Sequence, residues 1–174
     1  MLLFNIHSHP LRFVDALFTA TSAVCVTGLV VVDTGKDLAP ASQTVVLLLI
    51  QLGGIGVMTA TTALSLLIRE RIGLRQRMFL AGGFGMETPA GVVRFLRRIL
   101  LLTFSVETVG ALFLYAGFLR AGFSPLRSLY NAVFHSVSAF CNAGFSLFSD
   151  SLAGFSRNLL IPGTVMALIV VGGL

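Results

Sequence analysis

An all-α integral membrane fold built from helix–pore-loop–helix units is predicted by three features of this sequence. The composition suits a chain dissolved in lipid, several apolar runs are long enough to cross a bilayer, and a half-length unit occurs twice. Of the 174 residues, 56% are hydrophobic and only 11% are charged, with a mean hydropathy of +0.94. A soluble domain carries about 25% charged residues, more than twice this share. The net charge of +5 does not indicate nucleic acid, because the basic residues gather in one loop rather than on a polar face. Two cysteines, Cys25 and Cys141, make neither a disulfide framework nor a zinc site. His7 and His9 have no Cys, Asp or Glu beside them to complete a ligand set, and read as a polar N-terminal tail. The opening Met1-Leu2-Leu3-Phe4 is too short for a signal peptide and lacks a basic flank.

The first apolar run, Thr44–Ile68, is interrupted only by Gln51, glycines and small hydroxyl residues. As a helix it is about 37 Å long, against ~30 Å of hydrocarbon. The second, Ile99–Leu119, contains a single charge, Glu107. The third starts near Leu159 and is still apolar at Leu174, as expected of a span that continues further. Between the first two lie Arg69, Arg71, Arg75, Arg77, Arg94, Arg97 and Arg98, seven of the 12 basic residues. The positive-inside rule places Arg69–Arg98 in the cytoplasm of a multi-pass protein of the cell (plasma or inner) membrane. Residues 1–43 and 120–158 then face outside. Each holds an apolar segment too short to span, about Leu11–Ala23 and about Pro125–Ala139. Short helices that enter from outside and return satisfy both length and topology; amphipathic helices lying on the outer surface are the plainer alternative.

The internal repeat favours re-entry. Pro10-Leu11-Arg12 recurs as Pro125-Leu126-Arg127, and Asp15–Thr34 then aligns with Asn131–Asp150. The identities are Ala16/Ala132, Phe18/Phe134, Ser22/Ser138, Ala23/Ala139, Cys25/Cys141 and Gly28/Gly144, followed by Ile50/Ile169 and Gly53-Gly54/Gly172-Gly173. Ser124 suits an N-cap and Pro125 a first helical turn. Each short helix ends before a Cys-x-x-Gly stretch, so a helix that dips inward aims the negative end of its dipole at the membrane centre, where it favours a cation. Extended strands of the type Cys25-Val26-Thr27-Gly28 and Cys141-Asn142-Ala143-Gly144 can offer successive backbone carbonyls in place of the water shell of a potassium-sized ion. The plainer alternative is a helix closed by a C′ glycine. Two copies in the same context favour the carbonyl reading.

At Thr21–Leu29 and His135–Phe145, and less specifically at Gln51-Leu52-Gly53-Gly54-Ile55-Gly56 and Glu107-Thr108-Val109-Gly110-Ala111, the sequence resembles the Trk/Ktr potassium-uptake family. The resemblance covers nearly the whole chain after Pro10. It implies an M1-P-M2 architecture of the potassium-channel-like superfamily, with four repeats in one chain around a single pore. It also implies homodimers in membrane lipid on a cytosolic ring of nucleotide-binding regulatory subunits. Residues 1–68 then hold the pore helix, filter and second helix of repeat one. Residues 69–94 form the cytoplasmic loop, and 95–174 hold most of repeat two. Two of four filter strands do not enclose a pore, so the implied function, K+ uptake with Na+ as a possible coupled or regulating ion, belongs to the full-length parent. A serine at the position of Gly28 is associated in that family with sodium permeation.

Other residues admit competing readings. Glu107 lies mid-span, where a carboxylate costs ~2.5–3.5 kcal/mol on insertion scales; it reads as a brace behind the filter loop, ahead of direct ion coordination. Asp33, Asp37 and Asp150 either concentrate cations at the outer mouth or are ordinary solvated loop charges. Gly53, Gly54 and Gly56 suit close helix packing. Gly82-Gly83-Phe84-Gly85 lacks the preceding strand of a phosphate loop. Two rivals remain to the transport reading: a nonfunctional gene fragment, and an intramembrane enzyme using Cys141, His135 and Glu107. The repeat opposes the enzyme, since Thr19 stands in place of His135 in the first copy while the glycine is kept.

Overall fold

The computed structural model describes residues 12–69, 89–156 and 158–173. The His7/His9 pair, the Gly82-Gly83-Phe84-Gly85 run and Arg71, Arg75 and Arg77 lie outside them. The described residues are helical with no strand: α1 (Phe13–Val24), α2 (Pro40–Arg69), α3 (Pro89–Arg120), α4 (Pro125–Phe140), a 3-10 turn (Ala153–Phe155) and α5 (Leu160–Gly173). Contacts divide the chain into two units, one of residues 1–54 with 106–174, the other of residues 55–105. The described part of the second unit is the inner half of α2 and the first half of α3.

The helix ends follow local chemistry. α3 begins at Pro89 rather than near residue 95, because proline suits the first turn and nothing up to Arg98 breaks the helix. α4 also starts on proline. Ser124 occupies its N-cap, but its hydroxyl makes no capping bond. Leu126, which carries one of the amides such a bond would serve, is 81% exposed, so solvent reaches that end.

α3 contains Arg97–Arg120, the one stretch among the described residues long and apolar enough to cross a membrane, and only 22% of its apolar window is buried. Leu101, Leu102, Phe104, Val109, Leu112 and Phe113 are each more than half exposed. The core helix of a soluble protein buries such a surface; here it is left uncovered by the described residues. The other face carries Gly110, Leu114, Gly117 and Phe118, one to two turns apart. An added Cβ at Gly110 would stand 2.7 Å from the Leu168 methyls, and one at Gly117 2.7 Å from Ile161. The two glycines thus receive two α5 side chains in antiparallel order, and Leu114, Phe118 and Ile161 are fully buried. This is small-residue packing of the kind membrane helices use. In the other repeat, Ser42, Val46 and Ile50 form the fully buried stripe of α2.

Candidate ion-binding loops

Each short helix closes in the same way. Cys25 and Cys141 are the C-caps of α1 and α4. In the first loop Cys25 N–H donates to Thr21 O at 2.8 Å, Val26 N–H to Ala23 O at 3.3 Å and Thr27 N–H to Ser22 O at 3.0 Å. In the second, Cys141 N–H donates to Val137 O at 2.9 Å, Asn142 N–H to Ala139 O at 3.0 Å and Ala143 N–H to Ser138 O at 2.8 Å. Each residue corresponds through the repeat. The bonds form a Schellman closure whose left-handed C′ residue is not glycine but Val26 (φ 56) or Asn142 (φ 58). The C′-glycine alternative is thereby overturned: Gly28 (φ 71) and Gly144 (φ 73) lie two residues further on. A β-branched residue in this region is an outlier that costs about 1–3 kcal/mol. The tertiary structure maintains that strain at Val26, whereas asparagine tolerates the conformation at Asn142.

The loops meet at their glycines. A Cβ on Gly28 would lie 2.7 Å from Ala143 O and 3.3 Å from Gly144 Cα; one on Gly144 would lie 3.4 Å from Gly28 Cα. Behind the loops, the first glycine of each Gly-Gly pair abuts the last carbonyl of the short helix in its own repeat, Gly53 against Val24 O and Gly172 against Phe140 O. Neither position has room for a Cβ. Gly54 crosses to the other repeat and abuts the Cys141 side chain. A Cβ added at Gly56 would meet nothing within 4 Å among the described residues, so of the three glycines expected to permit close packing, Gly53 and Gly54 show it there. Glu107 sits behind the second loop, as its position suggested. Its carbonyl accepts from Ser136 Oγ at 2.7 Å, and its carboxyl Oε1 lies 4.0 Å from Cys141 Sγ. The Gln51 amide approaches that carboxyl, but its Nε2 makes no hydrogen bond among the described residues.

The segments that follow the loops pack against them. Asp33 Oδ1 accepts from Gly35 N–H at 2.8 Å and Lys36 N–H at 3.1 Å, while Asp37 Oδ2 accepts from Asp33 N–H at 2.7 Å. Burial pushes the Asp33 carboxyl up. Hydrogen bonds from Ser149, Lys36 and Gly35, with the Lys36 charge, outweigh it and hold the group below the usual carboxylate range. Gln43 Nε2 donates to Thr34 O and Leu38 O, both at 3.0 Å, and Tyr130 of α4 donates to Gln43 Oε1 at 3.0 Å. Gly35 abuts the Leu147 carbonyl of the second repeat. Asp33 and Asp37 line a cavity of about 370 Å³ that reaches Gly144, whereas Asp150 accepts from Gly154 N–H at 3.0 Å within its own turn.

Of the eight loop residues singled out in the sequence, Gly28, Ala143 and Gly144 come together directly. Val26 is half-buried, Thr27, Asn142 and Cys25 are exposed, and Cys141 is buried. The enzymatic pairing fails. Both His135 nitrogens are engaged elsewhere, with Asn131 O at 2.8 Å and with Ser146 Oγ at 3.1 Å, and the Cys141 thiol faces Glu107. Six residues at about 100° each separate His135 and Cys141 by about 240° around the helix axis, so the imidazole does not reach the thiol. Sequence reasoning missed the Tyr130–Gln43 link, for which two residues 87 apart carry no local signal. It also missed the left-handed Val26, although Asn142 at the matching position was a clue.

The family model for TrkH, described as a cation transport protein, matches residues 1–174. The chain is 38% identical over 166 residues to the Ktr system potassium uptake protein B of Bacillus subtilis, covering 95% of this chain and 37% of that protein. The protein of the same name from Vibrio alginolyticus is 39% identical over 165 residues, 94% of this chain and 36% of that one. The potassium/sodium uptake protein NtpJ of Enterococcus hirae is 37% identical over 163 residues, again 94% of this chain and 36% of the relative. The chain thus spans little more than a third of the length of these relatives. With a match along its full length, it belongs to the TrkH family of cation transport proteins, which are proteins of the membrane.

Proposed function

We propose that this chain is a pore-forming part of a potassium-uptake transporter, and that the backbone carbonyls of Cys25–Gly28 and Cys141–Gly144 supply half of its selectivity filter. One observation carries the reading: two loops with the same hydrogen bonds and the same left-handed residues meet at their glycines. Carbonyls fixed in that way replace a cation's hydration shell without reorganising. The C-terminal ends of α1 and α4 add negative dipole charge beneath them. Asp33 and Asp37 beside the outer cavity raise the local cation concentration. The names of the relatives, potassium uptake and in one case potassium/sodium uptake, agree with K+ as cargo and leave a place for Na+. Each repeat is an M1-P-M2 unit of a multi-pass protein. The assembled transporter is a homodimer on a cytosolic nucleotide-binding ring.

In this reading the thiol of Cys141 takes no part in transport. In the full-length protein Cys141→Ser should keep more than about half of potassium uptake, because serine preserves the backbone and can still donate to Glu107. Complete loss of uptake at normal membrane level would contradict carbonyl selection. The topology has its own test. With Cys25 and Cys141 removed, single cysteines at Arg75 and Ser151 should react with an impermeant thiol reagent from opposite sides of the membrane. Reaction of both from outside would overturn the arrangement.

A further inference from the structure

The two repeats differ on the short helix at His135, where the first repeat has Thr19. Leu147 N–H donates to His135 Nε2 at 3.4 Å, which makes Nε2 an acceptor. Nδ1 therefore carries the hydrogen and donates to Asn131 O at 2.8 Å, so the ring is the neutral Nδ1–H tautomer. Nε2 also lies 3.1 Å from Ser146 Oγ, which accepts in turn from Phe148 N–H at 3.0 Å. The ring stacks on Phe148 with centroids 5.1 Å apart and planes 22° apart, inside a cluster that includes Phe118 and Phe155. Among the described residues the hydroxyl of Thr19, its counterpart in the first repeat, bonds Asp15 O of its own helix.

Ser146 and Leu147 follow Gly144 by two and three residues. Between them and the glycine, Phe145 O accepts from Ser138 Oγ at 2.7 Å. The Leu147 carbonyl abuts Gly35 of the first repeat. The imidazole thus fixes the strand that leaves the second loop and seats the outer segment of the first repeat against it. The geometry points to His135 as a positioning residue for ion selection, acting through the acceptor Nε2 on Ser146 and Leu147. The inference rests on the filter reading of the Gly144 loop.

The test uses the full-length protein and compares potassium with sodium uptake per unit of membrane protein. His135→Phe keeps an aromatic ring against Phe148 but removes the acceptor; the K+/Na+ uptake ratio should fall about two- to tenfold, the scale of one lost hydrogen bond. His135→Gln restores an acceptor oxygen at the reach of Nε2 and should bring the ratio back toward wild type. Ser146→Ala removes the bridging hydroxyl without touching the helix core and should lower the ratio in the same direction. This variant decides the matter should His135→Phe fail to reach the membrane. Gly144→Ser and Gly28→Ser are run alongside. If either lowers the ratio while His135→Phe and Ser146→Ala do not, His135 is not a positioning residue and the filter stands. A glutamine variant as impaired as the phenylalanine one would also overturn the role of the acceptor. If Gly144→Ser and Gly28→Ser both leave the ratio unchanged, the filter reading falls and takes this inference with it.

Discussion

Replacing Gly28 by alanine or serine in the full-length protein is expected to lower the preference for potassium over sodium by about tenfold or more, equivalent to about 1.4 kcal/mol of differential binding. The direction follows from the space around the residue. A Cβ there would lie 2.7 Å from Ala143 O, a carbonyl of the opposite loop, and the backbone torsion of +71° is itself unfavourable to a side chain. The neighbouring strand has to shift by a few tenths of an ångström, on the scale that separates a smaller from a larger cation. Gly144 is expected to tolerate the same change better, because its Cβ would meet only Gly28 Cα at 3.4 Å. The ranking Gly28 above Gly144 is specific to this geometry. Parallel uptake of potassium and sodium by both variants, normalised to membrane protein, checks it. Reduced yield with unchanged ion preference at both positions would remove the loops from ion selection.

A second large effect is expected at Gly53. A Cβ there would overlap the carbonyl of Val24, and since that atom is backbone at a helix end it has little freedom to yield. Gly53→Ala should force α2 away from the end of α1 and cost about 2–4 kcal/mol. The expected readout is a marked drop in detergent-solubilised, monodisperse protein and in its melting temperature. Gly172→Ala should behave alike, because its Cβ would overlap Phe140 O. Gly56→Ala is the control: with nothing within 4 Å it should be neutral, or slightly stabilising through helix propensity. Equal stability of the alanine variants at 53 and 56 would show that close approach to the short helix does not matter.

The helices were legible in the sequence because lipid-facing and half-length segments differ so plainly in length. The segment expected at Pro125–Ala139 is the helix Pro125–Phe140. The Cys-x-x-Gly repeat located both loops, because cysteine and glycine recur at matching positions in them. The role of the glycine was less legible. A helix followed by glycine reads equally as a C′ cap, and only the torsions at Val26 and Asn142 separate the closure from the glycine beyond it. The contacts that tie one repeat to the other, Gly35 with Leu147 and Tyr130 with Gln43, were not legible, since they join positions far apart in sequence through single atoms. His135 was visible as a residue, but the sequence did not show what it contacts. Its spacing from Cys141 offered a catalytic pair as a rival that the repeat opposed; its Nε2 instead contacts the segment beyond the loop, while Nδ1 bonds Asn131 O.

The most direct measurement is to see the ion. Crystals of the full-length protein grown in rubidium and measured at the rubidium absorption edge should show anomalous density between the two loops, within coordinating distance of carbonyls from Cys25–Gly28 and Cys141–Gly144. The peak should weaken when potassium replaces rubidium in the crystallisation solution and persist when sodium is added. Rubidium bound elsewhere along a conducting protein, with none between Gly28 and Gly144 at concentrations that saturate uptake, would contradict a filter built from these carbonyls.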